Sequence, residues 1–187
     1  MIMEQNVIQK NMWNTAAKAG LILGLVSAVY MFVNKWTGQA DLPTFLTMLI
    51  NAVMWCLKFG GCIWLMMFFM KKFVAENPEA RNSHTRRLGM ATALLSALVY
   101  SAISFADVAF ISADFYTEQI NQIMQATASM MDSNTLNEMD KMMENLPQMT
   151  FFSNLIYCFI YGTILSAILS RNIPSRDPFA DFKQDEQ

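Results

Sequence analysis

Two charged side chains stand inside otherwise apolar runs: Lys58 in "WCLKFGGCIW" and Asp107 in "SAISFADVAFIS". An ammonium or a carboxylate in hydrocarbon is expensive to hold there, so by default it marks an ion path, a proton relay or the counter-charge of a ligand. Counting at about 1.5 Å per residue from Met70, Leu88 and Ser170 places Lys58, Tyr100 and Tyr157 at one level, roughly 18 Å above that edge. Together they could form a polar layer. Asp107 lies roughly 28 Å up, level with Asn51, and meets Lys58 only if the lysine stem stretches along its own helix. The structural alternative has Lys58 donating to tyrosine hydroxyls and backbone carbonyls. That alternative is preferred, because further buried carboxylates, repeated halves and paired broken helices are missing from the sequence.

Other chemistry has less support. The single histidine, His84, sits in a basic loop, and Cys56, Cys62 and Cys158 fall within apolar runs, the first two on different helix faces. No nucleophile stands with a base and no His, Cys or carboxylate cluster suggests a hydrolytic metal, so the chain reads as a non-enzyme without cofactor. Seven methionines between Met124 and Met149 could offer soft ligands to Cu(I). With no His or Cys beside them, adaptable apolar packing is the expected role.

The elements that position these residues follow from composition. In 187 residues, 54% are hydrophobic, with 14 Phe, 17 Met and a mean hydropathy of +0.27, above the apolar share of a soluble domain. Four runs, 14 to 34, 43 to 71, 88 to 111 and 149 to 170, reach the roughly 20 residues needed to cross about 30 Å of hydrocarbon as helices. None alternates as a barrel strand does. An all-α integral membrane four-helix bundle is therefore expected, a single domain over residues 1 to 175 followed by a tail from 176 to 187. Nucleic-acid binding has no support in the charge pattern.

Lys and Arg are segregated. Lys10, Lys18, Lys71, Lys72, Arg81, Arg86, Arg87, Arg171, Arg176 and Lys183 fall in the first tail, the second loop and the last tail, against Lys35 and Lys141 in the other two loops. The positive-inside bias then puts both termini in the cytoplasm.

Without a hydrophobic drive between helices in lipid, small residues must let them approach. Ala16, Gly20, Gly24 and Ala28 in the first run recur at four-residue spacing. So do Gly89, Ala93, Ala97 and Ser101 in the third and Gly162, Ser166 and Ser170 in the fourth. Gly60 and Gly61 in the second add a packing candidate or a helix break. Such stripes serve packing within one chain or dimerisation of two; spacing does not separate these, and internal packing is favoured.

Residues 112 to 148 carry six acidic residues and Lys141. Ile120, Ile123, Met124, Thr127 and Met131 mark one amphipathic face, and Leu136, Met139, Met143 and Leu146 another, so two short helices are expected on the outer side. Thr135 and Glu138 at capping-box spacing start the second.

The stretches "AGLILGL", "LKFGGCIWLMMFFMKK" and "NLIYCFIYGTILSAILSRNIPSRDPF" give the chain a family likeness. Across residues 10 to 180 it resembles a group of small four-span inner-membrane proteins of Gram-negative bacteria, catalogued only as a domain of unknown function. The resemblance implies an architecture and a bacterial inner-membrane location and carries over no functional residue. The expected role is a non-enzymatic, partner-binding or structural membrane component, engaging a protein through residues 112 to 148 or the C-terminal tail, or a second copy of itself. The alternative is a small transporter or channel built on Lys58, Asp107 and the tyrosines.

Overall fold

The computed structural model describes residues 2–40, 43–127, 138 and 141–173. Within them the chain runs α1 (Ile2–Gln39), α2 (Thr44–Glu76), α3 (Asn82–Ala106), a five-residue π-helical segment (Asp107–Ile111), α4 (Ala113–Thr127) and α5 (Leu146–Arg171). No strand occurs among the described residues. α1, α2, α5 and α3 with its π-helical extension are each long and apolar enough to cross a membrane. The expected all-α bundle is what forms.

Local chemistry sets the boundaries. Pro43 precedes α2 in an extended conformation (φ -52, ψ 136), and α2 stops at Asn77 because the residue before Pro78 is driven out of the helical region. The Asn77 amide donates to the carbonyl of Phe73 at 2.9 Å and accepts from Asn11 Nδ2 at 3.1 Å, which ties the loop to α1. His84 Nδ1 accepts the Arg81 backbone N–H at 3.2 Å at the start of α3. Pro147 occupies the first turn of α5, where a missing N–H costs nothing.

α1 is longer than its apolar run. At 38 residues it extends about 57 Å, nearly twice the hydrocarbon thickness, so its first turns project beyond the bundle at the end carrying the 77–81 loop. Met12, Ala16 and Ala19 remain buried there and join Met66, Met70, Phe73, Leu88 and Leu169 in the main apolar cluster. We call this the basic end, after Arg81, Arg86, Arg87 and Arg171.

α3 is the central helix, packed extensively on both α1 and α5, whereas α2 leans chiefly on α1. The approaches are glycine-dependent. A Cβ on Gly20 would lie 2.6 Å from Leu95 Cβ, one on Gly24 2.7 Å from Val99 Cβ, and one on Gly162 2.5 Å from Ala93 Cβ. Gly89 meets Ser166 as closely, and the Ser166 hydroxyl donates to the Arg86 carbonyl at 2.9 Å. The stripes on α1, α3 and α5 thus serve packing within one chain.

Gly60 and Gly61 behave otherwise. A Cβ on either meets nothing within 4 Å among the described residues, so the packing expected of them is not made within the chain, and α2 runs unbroken through both. α4 forms as expected. The second outer helix falls largely on residues outside the described ones, as do Met130, Met131 and Met139 and the tail from residue 174.

Gly24→Ala and Gly60→Ala should therefore move stability in opposite directions. Gly60→Ala gains up to about 1 kcal/mol of helix propensity, whereas Gly24→Ala forces α1 off α3 and loses about 1–3 kcal/mol. Thermal unfolding of the two purified variants in one detergent reads both signs.

Candidate functional site

The two intramembrane charges stand in two separate sites. The first is built where α3 gives way to the π-helical segment. In an α-helix, residues five apart lie roughly 140° from each other around the axis. The wider turn removes that offset: the Ser112 backbone N–H bonds the Asp107 carbonyl at 2.8 Å, and the Ser112 hydroxyl comes over the Asp107 carboxylate, 2.7 Å from Oδ1. Tyr116, on the first turn of α4, donates its hydroxyl to Oδ2 at 3.1 Å. Lys35, near the end of α1, completes the shell with Nζ at 3.1 Å from Oδ1 and 3.0 Å from Oδ2.

Asp107 is fully buried, and Lys35 retains only 16% side-chain exposure. The ammonium also faces the rings of Tyr116 and Phe115, 4.8 and 5.2 Å from their centroids. Burial, and then the neighbouring Asp107 charge, push the Tyr116 phenol up to about 12. The hydroxyl therefore stays a donor throughout the physiological range. The result is a closed ion pair whose carboxylate oxygens are each shared by two donors.

The second site surrounds Lys58. Its Nζ lies over Tyr30 at 4.6 Å, Tyr100 at 5.5 Å and Phe59 at 5.8 Å, so three aromatic faces enclose the cation. A desolvated cation–π contact contributes about 2 kcal/mol, and a mid-membrane lysine costs about 2.5–3.5 kcal/mol on insertion scales. The rings are of the right order to offset the burial. Beside the ammonium is a cavity of ≈ 80 Å³ among all four long helices, lined by Ser27, Cys62, Ser96, Tyr100, Tyr157 and Cys158 among others. A single water needs roughly 10–15 Å³, so several would fit. Among the described residues no carboxylate lines this cavity.

The structure keeps together the three residues that helix rise sets at one level, Lys58, Tyr100 and Tyr157, and separates Asp107 from Asn51. Tyr100 and Tyr157 do line the Lys58 cavity, though Tyr157 is 65% exposed. A Lys58–Asp107 contact is not formed, because Asp107 is already engaged by Lys35, which costs no helical climb. Asn51 is exposed on α2 and joins neither site. Lys35, Ser112, Tyr116 and Tyr30 were not among the expected site residues. Lys35 reads as an interfacial anchor, and the π-helical turn that aims Ser112 has no compositional mark. Among the described residues no group of three or more His, Cys, Asp or Glu side chains converges.

Four long apolar helices, a buried ion pair and a ring-caged lysine define a multi-pass membrane protein. Residues 18–171 match the family described as "Protein of unknown function (DUF4199)", which covers most of the chain, and the chain belongs to that family. No curated protein and no solved structure matches it.

Removing one partner of the closed pair leaves the other charge buried alone. Asp107→Leu and Lys35→Met should each lower stability by about 3–5 kcal/mol, while the two together should recover part of the loss. A double-mutant cycle in detergent unfolding measures the coupling; additive losses would show that the pair is not the stabilising contact.

Proposed function

We propose that this protein is a non-enzymatic component of the bacterial inner membrane, with both termini in the cytoplasm, that works by holding the transmembrane helix of a protein partner against α2. The orientation is supported by the ten basic residues assigned to one side against two on the other. The observation that carries the reading is the uncovered face of α2. Val53, Leu57, Gly60, Trp64 and Phe68 share one side of the helix, all are exposed, and the two glycines form a recess with open space above it.

In lipid an exposed apolar side chain is unremarkable in energy, but a glycine recess between bulky residues is a shape that lipid tails fill poorly. Trp64 and Phe68 stack at 5.8 Å, which holds the lower rim of the recess rigid. A partner helix placing one large apolar side chain over Gly60 would gain close van der Waals contact on both sides. The approaches at Gly20, Gly24, Gly89 and Gly162 are filled within the chain. Asp107, the one buried carboxylate among the described residues, is engaged by Lys35, Ser112 and Tyr116.

A photoreactive residue in place of Leu57 or Trp64 should cross-link a discrete partner in native membranes, and one in place of Leu21, on the exposed side of α1, should not. Gly60→Leu should abolish the cross-link without lowering the unfolding temperature of the purified protein. Equal cross-linking from Leu21 would sink the proposal. A product at twice the chain's mass would make the partner a second copy.

A second reading rests on the Lys58 cavity, where a cation without a carboxylate could receive a small anion in transit. Lys58→Met should abolish anion flux in proteoliposomes if that reading holds; flux equal to that of protein-free vesicles before the substitution excludes it.

A further inference from the structure

A groove at the basic end, away from both sites and from the α2 face, has a split character. Its volume is ≈ 550 Å³, and α3 forms its floor between α1 and α5. Gln9, Trp13, His84 and Arg87 line one part, and Leu94 and Phe159 the other. Arg87 to Leu94 spans seven residues, about 10 Å of helix rise, and Phe159 lies roughly 17 Å above Ser170 on α5. The groove therefore runs from the level of the arginines to about the middle of the bilayer, the depth of a single leaflet of roughly 15 Å.

We infer that this groove binds an anionic phospholipid of the leaflet at the basic end, its phosphate on Arg87 and one acyl chain along Leu94 and Phe159. Three features point to that occupant. Among the described residues that line the groove there is no carboxylate to compete for the arginine. The guanidinium presents paired N–H donors that match phosphate oxygens, and Arg86 beside it and Arg81 at the start of α3 add positive charge at this end. Trp13, 49% exposed, stands beside Arg87 with an apolar ring and a polar N–H, the combination favoured at the headgroup boundary. The apolar wall then distinguishes a lipid from a soluble phosphate, which would have no use for it.

His84 helps to shape the polar mouth. Its Nδ1 is taken by the Arg81 backbone N–H, which leaves Nε2 as the edge able to meet a headgroup. The groove volume accommodates a phosphate and the upper part of one chain; the second chain stays in the surrounding bilayer.

The full-length protein, reconstituted in nanodiscs containing phosphatidylglycerol and phosphatidylcholine and released into the gas phase, reports retained lipid by native mass spectrometry. Wild type should keep phosphatidylglycerol in preference to phosphatidylcholine, and Arg87→Gln should lower that preference roughly fivefold. Leu94→Trp, which fills the apolar part without altering charge, should reduce retention as well, and tests the same site if Arg87→Gln fails to fold. Lys72→Gln, on the same side of the bundle and paired with Glu76 at 3.8 Å, should change nothing. Equal losses from Lys72→Gln and Arg87→Gln would reduce the effect to diffuse charge and overturn the site. So would full retention in Leu94→Trp, displacement of the lipid by inorganic phosphate, or selectivity that emerges only when the acidic residues 174 to 187 are deleted.

Discussion

The separation between α3 and its two neighbours is the constraint on which the rest depends. Lipid tails are as apolar as leucine, so these helices gain little by hiding side chains from the bilayer and associate through close contact instead. Gly20 and Gly24 bring α1 onto α3, and Gly89 and Gly162 bring α5 onto its other side. The hydroxyls of Thr92, Ser101, Ser104 and Ser166 are buried along these seams; Ser104 accepts from Asn154 and Ser166 donates to Arg86. Because α3 is fixed from both sides, whatever it carries is fixed too, and it carries Tyr100, Arg87 and, through its π-helical extension, Asp107.

The two intramembrane charges receive different treatment from this frame. Asp107 stands near the end of a helix, where a lysine at the end of a neighbouring helix can reach it without leaving its own level. An anion there can be answered by full charge and by three kinds of donor. Lys58 stands near mid-height, where no carboxylate is available among the surrounding residues, and ring faces take the place of a counter-ion. The first solution fixes geometry tightly, since a carboxylate with four donor contacts has little freedom. The second tolerates displacement, because a ring face attracts a cation over a range of positions.

Much of this organisation is legible in the sequence, and the exceptions have physical reasons. The runs that form the long helices show in hydropathy alone, because a bilayer demands length and apolarity together. The small residues of α1, α3 and α5 at four-residue spacing show as well. Gly60 and Gly61 look identical to them in one dimension, yet face open space; only the placement of α2 against α1 decides that. The depth of Lys58 and Tyr100 follows from helix rise, but Tyr30 is hidden, since α1 runs on past its apolar run and so offers no sharp edge from which to count. The Lys35–Asp107 pair is illegible for a deeper reason. Regular helical geometry points Ser112 away from Asp107, and nothing in "DVAFIS" announces the wider turn that reverses this.

These differences divide the bundle along its length. At the basic end α2 is anchored by Met66, Met70 and Phe73, all buried, and by the Asn77 link to Asn11. Above Met66 no residue of α2 is buried. There α2 is held to α1 and α3 by the Lys58 ammonium between Tyr30 and Tyr100, and to α5 by the edge contact of Phe59 with Tyr161 at 5.5 Å. Contacts of this kind define a direction less sharply than interlocked backbones do. The half of α2 that lies toward the Lys35–Asp107 pair is therefore held less closely than its half at the basic end. A partner helix seated on Gly60 would press at the height where Lys58 lies, so that the aromatic cage and the docking face act on one joint.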